Sequence, residues 1–140
     1  MTPRQLSPEL SISSQILPTD IPAIAAAGFS TVICNRPDGE GGPSQPRFAE
    51  IAEAARKHGL EAVHIPISGG ASAADVAAFE SALTTRPLPA LAFCRSGMRS
   101  RALWSAVQAS RKAMGQGQVA GDSKAGGLLG LLGRWWRSEP

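Results

Sequence analysis

The sequence predicts an α/β fold: a single domain whose mostly parallel sheet is flanked by helices. Three observations carry this expectation. Short apolar or β-branched runs alternate with segments of helical periodicity through the first 114 residues. Strands alternating with helices imply a largely parallel sheet covered on both faces. The 140 residues are the size of one domain, long enough to enclose a core without disulfide staples.

The elements follow in order. In "ELSISSQI", Leu10 and Ile12 alternate with serines, which suits a short strand. "LPTDIPAIAAAGF" reads as a helix, with Thr19 or Asp20 as cap, Pro22 in the first turn where its missing N–H is harmless, and Gly28 as stop. "STVIC" is a β-branched run typical of a buried strand, and "NRPDGEGGPSQ" is too rich in Gly and Pro to be anything but a loop. A second helix spans "RFAEIAEAARKHG", with Phe48, Ile51, Ala52 and Ala55 on one face and Gly59 at its end. "LEAVHIPI" is a strand, and "SAADVAAFESALT" a helix capped by Ser72 that turns Val76, Phe79 and Leu83 inward. "PALAF" is one more short buried strand, and "SRALWSAVQASRKAM" is helical, with Leu103, Val107 and Met114 facing the core.

Composition excludes several classes. The formal charge of +3 comes from acidic residues mixed among basic ones, and no Lys/Arg run interleaves with aromatics, so no nucleic-acid partner is expected. Two cysteines and an N-terminus without an apolar signal core point to a reducing, cytoplasmic setting. No stretch approaches the ~20 apolar residues of a membrane span. No Cys/His/Asp grouping has metal-ligand spacing, and "GEGG" lacks the strand-then-helix context of a dinucleotide loop, so neither metal nor cofactor is expected.

The densest chemistry lies in "FCRSGMRSR", where a strand runs into a helix. A loop in that position gathers unpaired backbone N–H groups and the positive end of the helix dipole, and so binds an anion. The cradle comprises Arg95, Ser96, Gly97, Met98, Arg99 and Ser100. Gly97 lets successive N–H groups turn inward, and Arg99 offers a planar fork to two anion oxygens. Cys94, at the lip of this positive nest, should have a lowered pKa and act as a thiolate nucleophile. The "RPDGE" loop also ends a strand, where it would overlook the cradle. There Arg36 extends the anion site and Asp38 donates a proton, or the loop merely makes its turn. His64 in "AVHIPI" suits a structural role better than a catalytic one, and Arg101 stands as an alternative to Arg99.

The segments "SSQILPTDIPAIAAAGFSTVICNRPDGE", "HGLEAVHIPI" and "CRSGMRSRALW", in this order, resemble the phosphatase-like domain of beta-lactamase-hydrolase-like proteins, a branch of the cysteine-dependent dual-specificity phosphatase fold. The resemblance implies that Cys94 is the nucleophile, the Cys94 to Ser100 backbone the anion cradle, and Arg99 the transition-state clamp of a phosphate-ester hydrolase. Two departures stand out. The wider phosphatase pattern places arginine at the position held here by Ser100, so the Cys-x4-Arg cradle is one residue short. The stretch matching the loop of the usual acidic residue, "HIPISGGASAAD", has no acid before Asp75.

A six-residue Cys-x-x-Gly-x-Arg cradle also resembles that of rhodanese-type sulfurtransferases, whose persulfide chemistry needs no general acid. The Asp-x-Arg and Gly-His-Ile elements of that fold are missing. A phosphatase, a sulfurtransferase and a non-catalytic oxyanion binder therefore all remain open. The expected ligand is a small phosphate- or sulfur-containing anion, or a phosphoprotein. Cys34 and Cys94 both end strands, so a reversible disulfide between them is a further expectation. The tail, residues 115–140, reads as a Gly-rich flexible linker and an amphipathic end suited to a protein or membrane surface.

Overall fold

In the computed structural model, which describes residues 1–122 and side chains through residue 114, the elements are β1 (Arg4–Ser7), β2 (Leu10–Ser13), α1 (Ile21–Ala26), β3 (Thr31–Cys34), α2 (Phe48–Lys57), β4 (Glu61–His64), α3 (Ala73–Thr85), β5 (Ala90–Phe93) and α4 (Met98–Asp122). The sheet order is β1-β2-β5-β3-β4. All pairings are parallel except the β1–β2 hairpin at one edge. The single α/β domain expected from the sequence is thus what forms.

Strand alternation sorts the core into two layers. Ala90 and Ala92 of β5, with Leu10, Ile12 and Ile33, face Phe79 and Leu83 of α3 and Leu103 and Val107 of α4. Leu91 and Phe93, with Val32 and Cys34, face Ile21 and Ile24 of α1 and Ile51 and Ala55 of α2. Each fully buried Leu, Ile, Val or Phe contributes roughly 1.5–3 kcal/mol. Strands β2, β3 and β5 are buried along their whole length, whereas the edge strands β1 and β4 are partly exposed, as a doubly covered sheet requires.

Local signals act as their chemistry dictates. Ser72 and Asp75 form a reciprocal capping box on α3, at 3.1 and 2.9 Å. Gly28 and Gly59 take positive φ after α1 and α2. Asp20 accepts from the Leu17 N–H in the 3-10 turn that precedes α1, rather than capping α1 itself.

Three expectations need correction. Strand β1 is additional: "RQLS" has too little apolar content to announce itself, and it forms because β2 offers it an edge. Met114 is 62% exposed; α4 has left the core by Arg111, which pairs with Glu9 and Glu80 and lies over Trp104. Helix α4 also runs to Asp122, through residues expected to begin the linker. The amphipathic tail lies outside the described residues. No described helix is long and apolar enough to cross a membrane.

Candidate active site

β3 and β5 are parallel neighbours, so the loops leaving their carboxyl ends meet over one crevice. Cys94 follows β5 directly and is 1% exposed. The chain curls back at Gly97, whose φ of +94° favours glycine, and its N–H donates to Cys94 Sγ at 3.0 Å. The Arg101 N–H donates to the Gly97 carbonyl at 3.0 Å, so the first turn of α4 closes directly over the loop. Gln15 N–H donates to the Arg95 carbonyl at 3.3 Å, tying the loop to the segment after β2.

Burial by itself pushes the Cys94 thiol up. The backbone N–H groups of Ser100, Arg99, Ser96 and Gly97 together outweigh burial and hold it below the 9.0 of a free thiol. Helix start, glycine turn and converging N–H groups thus stabilise negative charge at the sulfur.

Ser100, the residue standing where the wider phosphatase pattern has arginine, is fully buried, and its Oγ donates to Asn35 Oδ1 at 2.8 Å. Asn35 Nδ2 donates to the Ile65 carbonyl at 2.9 Å. The Asn35 backbone extends the parallel ladder, with its N–H on Phe93 O and its carbonyl accepting from Ile67 N–H. One fully buried residue after β3 thereby joins the ends of β3, β4 and β5 to the cradle helix. No buried side-chain nitrogen or oxygen among the described residues lacks a partner.

Above the cradle, Arg99 Nη1 and Nη2 grip both oxygens of Glu40 at 2.7 and 2.8 Å, and Nη1 also donates to Ile67 O at 2.9 Å. Arg36, 8% exposed, donates from Nε to Glu40 Oε1 at 2.8 Å and from Nη1 to Gln15 Oε1 at 3.1 Å. The bonds from Arg99 and Arg36 hold the Glu40 carboxyl at about 2, and the same contact raises Arg99. Arg36, Glu40, Gly41, Arg95 and Arg99 line an open bowl of about 520 Å³.

Among residues singled out from the sequence, Ser96, Gly97, Arg99 and Ser100 turn their backbone N–H groups toward Cys94 Sγ, Arg95 lines the bowl beside them, and the Met98 side chain is 67% exposed. Arg36 lies in the same bowl. Asp38 is placed otherwise: its Oδ1 accepts from the Phe48 N–H at 2.8 Å at the start of α2, and it lines no part of the bowl. The carboxylate that does is Glu40. The i,i+4 spacing from Arg36 was its only signal in the sequence. His64 is satisfied structurally, Nε2 lying 3.0 Å from the Arg36 carbonyl and the ring stacking on Phe48 at 4.5 Å. The Arg101 side chain is on the exposed face of α4, outside the bowl.

Cys34 sits level with Phe93, one residue short of Cys94, and packs in the opposite layer from the one Ala92 faces. Its thiol donates to Arg36 O at 3.4 Å, and burial pushes it up to about 11. Both thiols are free, and Cys34 as placed is a protonated core residue and a poor resolving nucleophile. No described group of three or more His, Cys, Asp or Glu residues is arranged to hold a metal.

Residues 3–111 match the family model described as "Beta-lactamase hydrolase-like protein, phosphatase-like domain". The chain belongs to this family. It is similar to the beta-lactamase hydrolase-like protein of Agrobacterium fabrum, 34% identical over 101 residues, 71% of this chain and 23% of the relative. It is also similar to that of Xylella fastidiosa strain Temecula1, 30% identical over 136 residues, 96% of this chain and 31% of the relative. The chain therefore spans no more than about a third of these relatives. Among solved structures, a proposed phosphatase from Neisseria meningitidis superposes with a TM-score of 0.67 at 37% identity, covering 72% of each chain. The active form of Tk-PTP, at 19% identity and a TM-score of 0.50 over 79% of this chain and 82% of its own, shares the fold. The family match and the structural neighbours together give the chain a phosphatase-type fold.

Proposed function

We propose that this chain is a thiolate-dependent hydrolase of phosphate esters, acting on a small phosphorylated molecule or a phosphoprotein. The observation that carries the proposal is the Cys94 sulfur under converging backbone N–H groups, with its pKa lowered and Arg99 above it. The phosphoryl group docks in the cradle, its oxygens accepting from the N–H groups and from the edge of Arg99 that Glu40 leaves open. Cys94 Sγ attacks phosphorus, the S–P bond forms, and the ester P–O bond breaks to release the alcohol as its anion. Water then cleaves the S–P bond, giving orthophosphate and the thiolate. Glu40 is ionised at any physiological pH, so it has no proton for the leaving group. Turnover therefore favours esters and anhydrides whose leaving groups are acidic enough to depart unaided, and alkyl esters react poorly.

The same ionised Glu40, with the short cradle, favours a second reading: sulfur transfer. Here the Cys94 thiolate attacks the outer sulfur of thiosulfate, the S–S bond breaks, sulfite leaves, and a cysteine persulfide passes its outer sulfur to an acceptor such as cyanide. No proton donor is needed. Assaying one preparation for aryl-phosphate hydrolysis and for thiosulfate:cyanide sulfur transfer separates the two. Cys94→Ser must abolish whichever activity is found while oxyanion binding survives. Activity retained in that variant defeats both readings, and binding without either turnover identifies an oxyanion-binding domain.

A further inference from the structure

We propose that the bowl beside the cradle selects ligands carrying a second anionic group next to the one held over Cys94, so that the preferred substrate is a small polyanion rather than a phenyl ester. This rests on the oxyanion-cradle reading of the proposed function and adds the class of substrate. The lining is the first argument. Three arginines, one glutamate and one glycine surround the bowl, and among the described residues no aromatic or aliphatic side chain does. Recognition of an aryl group needs apolar walls, and this bowl offers none.

The charge balance is the second. Glu40 is shared by Arg36 and Arg99, so one carboxylate offsets two guanidinium groups. Arg95 has no ion pair among the described residues. Once the reacting oxyanion occupies the cradle and Arg99, Arg95 and the Arg36–Glu40 pair still face the remaining space. An arginine fork is the side chain best matched to a further phosphate or carboxylate.

Shape gives the third. The open bowl of about 520 Å³ beside the cradle is larger than a single five-atom oxyanion fills. Gly41 keeps the wall open. Its φ of −97° suits any residue, yet a Cβ there would lie 2.6 Å from Arg36 Nη2. The missing side chain leaves room for the buried guanidinium against the wall, not for a backbone turn.

The test is equilibrium binding by titration calorimetry at fixed ionic strength, with orthophosphate, pyrophosphate and phenylphosphonate as probes. Pyrophosphate should bind at least tenfold more tightly than either of the others. Arg95→Ala should cut the pyrophosphate-to-orthophosphate ratio to threefold or less. Arg101→Ala, which removes the same charge from outside the bowl, should leave the ratio above tenfold. Tighter binding of phenylphosphonate than of pyrophosphate overturns the inference, as does a ratio that Arg95→Ala and Arg101→Ala change equally. If orthophosphate binds and only the ratio is flat, the cradle stands and the second subsite falls. If orthophosphate fails to bind at all, the cradle itself is misread and the proposed function falls with it.

Discussion

Asn35→Ala should be the most damaging polar substitution in the protein, and its cost follows from two bonds. The fully buried amide donates to Ile65 O at 2.9 Å and accepts from Ser100 Oγ at 2.8 Å. Truncation leaves a carbonyl and a hydroxyl unpaired, each at roughly 1–3 kcal/mol. Ser100 sits in the first turn of α4 and can turn its hydroxyl onto a nearby carbonyl, which keeps its share at the low end. The sum is about 2–4 kcal/mol. For a domain of this size, ~3–4 °C per kcal/mol gives a fall in Tm of roughly 6–16 °C, measured by circular dichroism. Ser100→Ala alone should cost less, and the double variant less than the sum, with a coupling of about 1 kcal/mol or more. The site should respond as well. The Ser100 N–H is foremost among the contacts that acidify Cys94, so loosening the latch should move the pH dependence of iodoacetamide alkylation upward. A Tm change under about 2 °C, an additive cycle, or an unmoved alkylation curve would refute the latch.

Gly97→Ala puts a side chain at φ +94°, with its Cβ 3.4 Å from Ser13 O, and should lower stability by about 1–2 kcal/mol in urea titration. Cys34 stays protonated up to about 11 when folded, whereas an unfolded thiol ionises near 9, so its contribution is whole below pH 9 and is lost as pH rises toward 11. That loss, on the order of 2–3 kcal/mol, should vanish from the alkaline stability profile of Cys34→Ala. Glu40 acts at the other end: its contribution is present above pH 4.5 and lost as pH falls toward 2, so the urea midpoint should drop less steeply with acid in Glu40→Gln. Arg99→Lys should abolish most turnover, since a point charge cannot keep Glu40 and an oxyanion on two edges at once; if Arg101→Ala is the crippling change instead, the register is misread.

The cradle was legible because its chemistry is local. Cys94, Gly97 and Arg99 lie within six residues of one another, and a strand running into a helix prescribes where their N–H groups point. The parallel sheet was legible for a related reason: strands buried on both faces must be continuous apolar runs, as "TVIC" and "ALAF" are. The partners of the cradle were not. Asn35 reaches Ser100 across 65 residues and Glu40 reaches Arg99 across 59, and no periodicity reports which side chains a crossover brings together. In "RPDGE" the expectation fell on Asp38 alone, yet the first N–H of α2 takes Asp38 and it is Glu40 that lines the bowl. Likewise, the spacing of Leu103 and Val107 promised a third inward residue at Met114, but the helix outruns the sheet it packs on.

The strand order has a consequence for how the chain comes together during synthesis. Among the described residues β5 is the last strand to be made, yet it lies between β2 and β3 and is the only one there that bonds to both. A nascent chain stopped short of residue 90 has a β1–β2 ribbon and a β3–β4 ribbon with no hydrogen bond between them, their facing edges open to other chains. Inserting β5 joins the two halves in one step, and the residue that follows it is Cys94. The proposed nucleophile is thus set in place only as β5 joins the sheet.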